Sequence, residues 1–208
     1  MSAAAQSRNR RGEGERLRDA LLTAAADLLS EDPDIDHLSV RTITARAGVT
    51  HTAMYLHFAD KQALIEAMKT ACFAELTQAL TDAVHDVPDD PVAGLRAAGE
   101  AYLRFGAARP GHYAVMFHSA RAGVADTPDT VRSAGMRAFH QLVDLAAAVV
   151  GEADAHDAAT NMWLALHGRI TIRRSMPWFP MSDDITYVRE QVNALTQRRP
   201  RTAPVTHE

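Results

Sequence analysis

Residues Leu38 to Leu64 read LSVRTITARAGVTHTAMYLHFADKQAL. Ser39 precedes a short run with helical apolar spacing, and serine is a good first residue for a helix because its hydroxyl accepts a hydrogen bond from the first turn. Gly48 stands where this helix should end, since helix ends often need a residue in the left-handed conformation. Thr50 offers a second cap ahead of another short run. The stretch therefore predicts two short helices joined by a tight turn.

Longer helices are predicted on both sides of this pair. An apolar stripe with a period of about 3.6 residues predicts a first helix over 16–30, and the acidic, proline-containing residues 31–36 end it. Asp60 caps a fourth helix predicted over 61–84. Two short helices braced in this way form a helix-turn-helix unit, whose second helix can enter the major groove of DNA.

The rest of the chain also has the apolar spacing of helices, interrupted by proline and glycine. Further helices are predicted over 91–108, 111–121, 128–150, 154–175 and 183–197. No segment alternates apolar and polar residues as a half-buried strand does. We therefore predict an all-α protein of about nine helices. Its expected parts are a disordered arm (1–14), a three-helix helix-turn-helix domain (15–62), a larger helical domain (63–198) and a flexible tail (199–208).

Composition excludes several classes of protein. The chain has 208 residues, of which 47% are hydrophobic and 23% charged, and it lacks the run of about 20 apolar residues that a membrane helix needs. Its single cysteine, Cys72, allows no internal disulfide and lies on an apolar helix face, so we expect a buried, inert thiol in a cytoplasmic protein. No histidine pair has the spacing of a helical metal site. Hydrolase, metalloprotease and nucleotide-binding motifs are absent, so neither catalysis nor a cofactor is expected.

The formal net charge of −4 at first argues against nucleic acid as a partner, because cations dominate phosphate binding. The charge is unevenly distributed, however. Residues 39–61 contain three cationic side chains, Arg41, Arg46 and Lys61, and only one acidic side chain, Asp60. We therefore predict a basic surface around the helix-turn-helix of an otherwise acidic protein.

The quoted stretch resembles the DNA-binding domain of TetR-type transcriptional regulators. The likeness combines the two helix lengths, the Tyr55-Leu56-His57-Phe58 end of the second helix, and Lys61 followed by Leu64 in the next. The resemblance implies that base edges or nearby phosphates are contacted by Thr50, His51 and Thr52. It implies that the DNA backbone is contacted by Ser39, Arg41, Tyr55, His57 and Lys61. The small core of the unit would consist of Ile43, Ala47, Val49, Met54 and Phe58.

Two later segments, RPGHYAVMF at 109–117 and WLALHG at 163–168, resemble signatures of the WHG-type regulatory domain in one branch of these regulators. The resemblance implies that residues 63–198 bind a ligand and dimerise through the helices at 154–175 and 183–197. It also implies a palindromic operator and repression near the protein's own gene. The chain departs from the family's apolar continuation at three arginines, which we predict to form a solvated or dimer-edge face rather than an anion site: Arg169, Arg173 and Arg174.

Methionine, histidine and aromatic residues recur along the predicted helices of this second part, where they favour a cavity with a few polar groups and thus a small, partly apolar effector. The predicted ligand-binding residues are Tyr102, Phe105, Tyr113, Met116, Phe117, Met136, His140, Trp163 and His167. Plain core packing is the alternative for each of them. Two other functions stay open: an all-α enzyme or small-molecule-binding protein that uses this pocket, and a protein that coats DNA without sequence preference.

Overall fold

A computed structural model describes residues 11–32, 34–87, 89–118 and 128–197. In these ranges the chain forms nine α-helices and one 3-10 turn (Ile35–His37) and no strand, which confirms the predicted all-α class. The helices are α1 (Arg11–Glu31), α2 (Val40–Arg46), α3 (His51–Tyr55), α4 (Lys61–His85), α5 (Pro91–Ala108), α6 (Pro110–Phe117), α7 (Asp129–Val150), α8 (Glu152–Ser175) and α9 (Asp184–Thr196). None of the described helices is long and apolar enough to cross a membrane.

The largest difference from the predicted boundaries is at the start of the chain. Helix α1 begins at Arg11 rather than near residue 16, so 11–14 are helical and do not belong to a disordered arm. The apolar stripe marks only the buried face of a helix, and the first turns of α1 are largely exposed at Glu15 and Arg16. Residues 1–10 and the predicted tail at 199–208 lie outside the described residues, as does the predicted end of α6 at 119–121.

The chain divides into two compact units, residues 1–71 with 110–128 and residues 72–109 with 129–208. The first unit therefore includes α6, which the predicted division at residue 62 assigned to the ligand-binding domain. Its local sequence could not reveal this, because α6 is a short apolar helix that suits either neighbourhood. Helix α4 begins in the first unit and ends in the second.

In the first unit, α1 packs against α2 and α6, and α2 packs against α3. The α1–α6 contact is close at Gly111, where an added Cβ atom would lie 2.5 Å from the carbonyl carbon of Leu29. Large apolar side chains from every helix fill the interior of this unit: Leu21, Leu29, Ile43, Met54, Phe58, Leu64, Met68, Tyr113 and Val115. The helix-turn-helix thus shares its core with a helix that lies about 50 residues further along the chain.

In the second unit, α7 packs along α8, and α5 packs against α7, α8 and α9. The start of helix α5 is strongly marked in the sequence. The Asp90 carboxylate caps the helix by accepting a hydrogen bond from the Val92 amide (2.9 Å), and Pro91 occupies the first helical position. Buried aliphatic and aromatic residues fill this interior: Leu95, Tyr102, Leu103, Phe105, Leu142, Met162, Leu166, Val188 and Val192. Cys72 is buried as predicted, and burial raises the pKa of its thiol to about 12.

Candidate functional site

The starts of α2 and α3 are held by side-chain caps at the two residues that the sequence singles out. The Ser39 hydroxyl accepts from the Thr42 amide (3.1 Å) while the Thr42 hydroxyl accepts from the Ser39 amide (3.1 Å), a reciprocal capping box. The Thr50 hydroxyl accepts from the Ala53 amide at 3.3 Å. Between the helices Gly48 has φ +68°, a left-handed conformation that glycine adopts without steric cost. These local bonds fix the residues at which the two short helices begin.

A small apolar core then decides which side of α3 faces outward. Ile43 and Met54 are fully buried and Phe58 nearly so, as predicted, whereas Ala47 and Val49 are only half-buried. With Met54 turned inward, α3 presents its polar side chains on the surface. The exposed residues of this helix are His51, Thr52 and Tyr55.

The rings of His51 and Tyr55 lie one helical turn apart and meet edge to face, with centroids 5.4 Å apart. This arrangement is a favourable aromatic geometry, and it restricts the rotamers of both exposed rings. Leu56, which the sequence argument did not select, caps the end of α3 and is 76% exposed. The sequence did carry a signal for Leu56, because it is an apolar residue that does not belong to the predicted core of the helix-turn-helix. The outer face of α3 thus offers an imidazole, a hydroxyl, a phenol and one aliphatic group.

The predicted excess of cations around α3 is smaller than the sequence suggests. The Arg46 guanidinium donates to both carboxylate oxygens of Glu31, at 2.9 and 2.7 Å, and these hydrogen bonds lower the pKa of Glu31. The count over 39–61 was wrong on this point because Glu31 lies outside that window. Arg41, by contrast, is exposed.

Lys61 begins α4, and its amino group donates to the carbonyl of Ile35 at 3.1 Å. This bond ties the 3-10 turn to α4 and fixes where the cation lies. An ammonium group has three hydrogens, so Lys61 keeps donors for a second acceptor. The ring of His57 is half-buried beside α1, with Cε1 3.5 Å from the position of a Cβ atom at Gly14. His57 is therefore a less accessible contact than Tyr55.

The predicted ligand-binding residues do not all fall in one unit. Three lie on α6 in the first unit, where Tyr113 and Met116 are buried and the ring of Phe117 is 4.9 Å from that of Tyr113. Six lie in the second unit, and of these Met136 and His140 are exposed. The remaining four are buried or half-buried: Tyr102, Phe105, Trp163 and His167.

A line of aromatic rings in contact with one another runs along α7 and α8 in the second unit. Trp163 and His167 stack with centroids 5.6 Å apart, and Phe139 meets Trp163 edge to face at 6.4 Å. Phe139 also meets His156 edge to face at 5.5 Å. Burial lowers the pKa of His167, which favours a neutral imidazole able both to donate and to accept a hydrogen bond. This ring cluster combines flat apolar surface with one polar group.

The three arginines at the end of α8 do not form the predicted solvated face. Arg169 is buried, its Nε donates to Asp184 at 2.7 Å, its Nη2 donates to the Ser182 carbonyl, and its guanidinium lies 4.3 Å from the ring centroid of Tyr187. Arg173 donates to the same carboxylate at 2.8 and 2.5 Å. These hydrogen bonds, led by that of Arg173, lower the pKa of Asp184. Two of the three arginines thus join α8 to α9, and the third, Arg174, is exposed.

A helix-turn-helix with an outward-facing polar second helix defines a class of DNA-binding protein. Comparison with known families agrees with this class. Residues 21–68 match the model described as "Bacterial regulatory proteins, tetR family", and residues 95–195 match "Tetracyclin repressor-like, C-terminal domain". The chain therefore belongs to the TetR family and is a helix-turn-helix transcriptional regulator.

Individual proteins match this chain either over a short stretch or at low sequence identity. The chain is 42% identical over 55 residues to the class A tetracycline repressor protein from transposon 1721 of Escherichia coli, a match that covers 26% of this chain and only 25% of that repressor. Among solved structures, a protein of unknown function from Rhodococcus sp. RHA1 is 28% identical, with a TM-score of 0.75 over 87% of this chain and 94% of that one. The regulator FadR from Bacillus subtilis, solved in complex with stearoyl-CoA, is 12% identical, with a TM-score of 0.70 over 86% and 97%.

Proposed function

We propose that this protein is a dimeric, cytoplasmic transcriptional repressor that binds a palindromic operator through α3 and is released by a small, partly apolar ligand. The observation that carries the proposal is the outer face of α3, where His51, Thr52 and Tyr55 are exposed while Met54 anchors the helix. Base edges are read by short polar side chains at the start of such a helix. No catalytic role is assigned to any residue.

Specificity and affinity are assigned to different residues. His51 and Thr52 would hydrogen-bond with base edges, and the exposed imidazole can donate to or accept from a purine. Positioning contacts with phosphates carry no sequence information of their own. They would come from the exposed side chains and helix starts around α3, namely Ser39, Arg41, Thr50, Tyr55 and Lys61, with His57 contributing least because of its burial.

Two copies are needed because one helix in one groove makes few contacts. Two recognition helices at half-sites one or more helical turns apart add their binding free energies, which is why operators for such dimers are palindromic. We assign the dimer contact to α8 and α9, within the ranges 154–175 and 183–197. The exposed apolar side chains of both helices, Leu164 and Ile185, support this assignment.

The ligand is assigned to the ring cluster of the second unit. Trp163, His167 and Phe139 offer flat apolar surface beside a neutral imidazole, which suits a ligand with an apolar body and one polar group. The complex of the Bacillus FadR with stearoyl-CoA illustrates a ligand with a long apolar part in a protein of this fold.

The DNA assignment is tested by selecting bound fragments from sheared genomic DNA with the purified protein. On the selected fragment, His51→Ala should cost about 1–3 kcal/mol of binding free energy but leave binding to random DNA almost unchanged. Lys61→Ala should weaken binding to both DNAs and reduce the slope of log affinity against log salt by about one. Fluorescence anisotropy at several salt concentrations measures both effects.

Arg137→Ala is the control for Lys61→Ala, because it removes one exposed cation from α7 in the second unit, outside the proposed dimer contact, and should leave the salt slope unchanged. Equal losses for His51→Ala on selected and random DNA would remove His51 from base readout. If the native protein itself failed to prefer the selected fragment over random DNA, the protein would be a DNA-coating protein and not a repressor.

The ligand assignment is tested with tryptophan fluorescence. The chain has two tryptophans, and Trp178 is 76% exposed between α8 and α9, so Trp178→Phe leaves Trp163 as the single tryptophan. Compounds that release this variant from the selected DNA should change the Trp163 emission in proportion to their occupancy. A compound that releases the DNA without altering that emission would place the ligand site elsewhere in the chain.

A further inference from the structure

Leu56 lies at the end of the outer face of α3 but has no role in the function proposed above. Its side chain is 76% exposed, so it contributes little to the core of the helix-turn-helix. A single exposed leucine is ordinary on a protein surface, and its significance depends on the direction in which it points. That direction follows from the position of Leu56 relative to the buried residue of the helix.

Leu56 points directly away from the core of the helix-turn-helix. Successive residues of a helix are rotated by about 100°, and Leu56 keeps this rotation because its backbone is still helical, with φ −72° and ψ −19°. Met54 is fully buried and marks the inner side of α3. Thr52 and Leu56 stand two residues before and two residues after it, so each is rotated from it by about 200°. Both are exposed, and they are the side chains most nearly opposite Met54.

This direction places Leu56 against the bases when α3 binds DNA. The second helix of a helix-turn-helix lies in the major groove, and the side of that helix opposite its buried residue faces the floor of the groove. Thr52 and Leu56 are four residues apart, a rise of about 6 Å along the helix, which is less than two base-pair steps of about 3.4 Å. Leu56 can therefore face a base pair no more than two steps from the one that faces Thr52.

The floor of the major groove offers a leucine side chain one group of matching chemistry. Guanine, adenine and cytosine present hydrogen-bond acceptors and donors there, whereas thymine also presents a C5-methyl group. A leucine packed on the polar groups would remove water from them without replacing its hydrogen bonds, which is unfavourable. Contact between the leucine and the methyl group removes apolar surface from water on both sides, which is favourable.

We infer that Leu56 recognises a thymine in each half-site of the operator by packing on its C5-methyl group. The inference rests on the proposed function of α3. It adds one base that each half-site must contain and the residue that selects this base. Readout by α3 then has an apolar part at Leu56 beside the polar part at His51 and Thr52.

Deoxyuridine tests the contact, because it pairs as thymidine does but lacks the C5-methyl group. Each thymine of the DNA fragment selected by the native protein is replaced in turn, and affinity is measured by fluorescence anisotropy. One position in each half-site should weaken binding about fourfold, the ratio that corresponds to the burial of one methylene group. Replacement in both half-sites together should multiply the two losses.

Leu56→Ala identifies the residue that makes the contact. This variant should bind the unmodified fragment about tenfold more weakly, because both half-sites lose the contact, and should no longer respond to deoxyuridine at those two positions. Leu56→Met keeps an apolar side chain and should keep the response. His51→Ala is the control within the same helix: it weakens binding through a different base contact and should leave the response to deoxyuridine unchanged.

Two results would overturn the inference. One is a selected fragment on which no deoxyuridine replacement weakens binding of the native protein, and the other is a Leu56→Ala variant that responds to every replacement as the native protein does. The proposed function would stand in either case if the native protein still preferred the selected fragment and His51→Ala reduced that preference. A native protein that binds selected and random DNA equally would overturn both the inference and the proposed function.

Discussion

Gly111→Ala is expected to destabilise the first unit by about 3 kcal/mol, at the upper end of the usual cost of overpacking. A Cβ atom at this position would lie 2.5 Å from the carbonyl carbon of Leu29, 2.6 Å from the amide nitrogen of Ser30 and 2.7 Å from the Leu29 oxygen. All three are backbone atoms inside or at the end of α1, so no side-chain rotation relieves the clash. Helix α6 must move away from α1.

The other end of α6 makes this movement visible. The amino group of Lys69 donates to the carbonyl of His118 at 2.6 Å, directly after the last residue of α6, and a shift of the helix would break that bond. Hydrogen exchange of the α6 amides should therefore accelerate in Gly111→Ala, with chemical denaturation giving the loss of stability.

Gly94→Ala is the control for Gly111→Ala. Gly94 is a buried glycine of α5, but its Cβ position has ordinary contacts with Val84 (3.7 Å) and Leu145 (3.8 Å). Because alanine favours helix over glycine, this change should stabilise the protein by up to about 1 kcal/mol. Equal and small effects of the two substitutions would contradict the close packing of α6 on α1.

Arg169→Ala is expected to cost about 3 kcal/mol of unfolding free energy, the lower end of the range for breaking a buried ion pair. The side chain of Arg169 is 4% exposed, and its guanidinium contacts Asp184, the Ser182 carbonyl and the ring of Tyr187. Its removal takes a donor from the Ser182 carbonyl and leaves a cavity between α8 and α9. The cost is at the lower end because Arg173 still neutralises Asp184.

Arg173→Ala tests whether burial or charge determines this cost. Arg173 binds the same carboxylate, but its side chain is 39% exposed, so its loss should cost less than about 1 kcal/mol, as for surface ion pairs. Denaturation of both variants at neutral pH compares them. A larger loss for Arg173→Ala than for Arg169→Ala would mean that Asp184 neutralisation, and not the buried contacts of Arg169, stabilises the α8–α9 junction.

Helix boundaries were predictable where the signal is carried by neighbouring residues. The capping residues Ser39, Thr50, Asp90 and Asp183 each accept a bond from an amide two or three positions later, and the helices that follow begin within one residue of the prediction. At the start of α1 the prediction was five residues late, because an apolar stripe marks only the buried face of a helix. Local hydrogen bonds are encoded locally, so the sequence pattern is sufficient for them.

Contacts between distant residues were not predictable in the same way. Glu31 neutralises Arg46 from 15 residues away, and Asp184 binds Arg169 from the same separation. A count of charges within residues 39–61 misses the Glu31–Arg46 pair. The prediction of an exposed arginine face at the end of α8 likewise missed the Asp184–Arg169 pair. Ion pairs of this kind depend on where two helices meet, which no pattern within either helix specifies.

The sequence alone determined the all-α class, the helix-turn-helix and its outward polar residues, because apolar period, caps and a turn glycine are short-range properties. Only the tertiary structure decided that α6 packs with the helix-turn-helix, that Lys61 is tied to Ile35 and that Arg169 is buried. The physical reason is the same for all three: each depends on which surfaces meet after the helices have formed. The negative net charge is expected to limit nonspecific affinity for DNA, and the residues proposed to read DNA are those on the exposed face of α3.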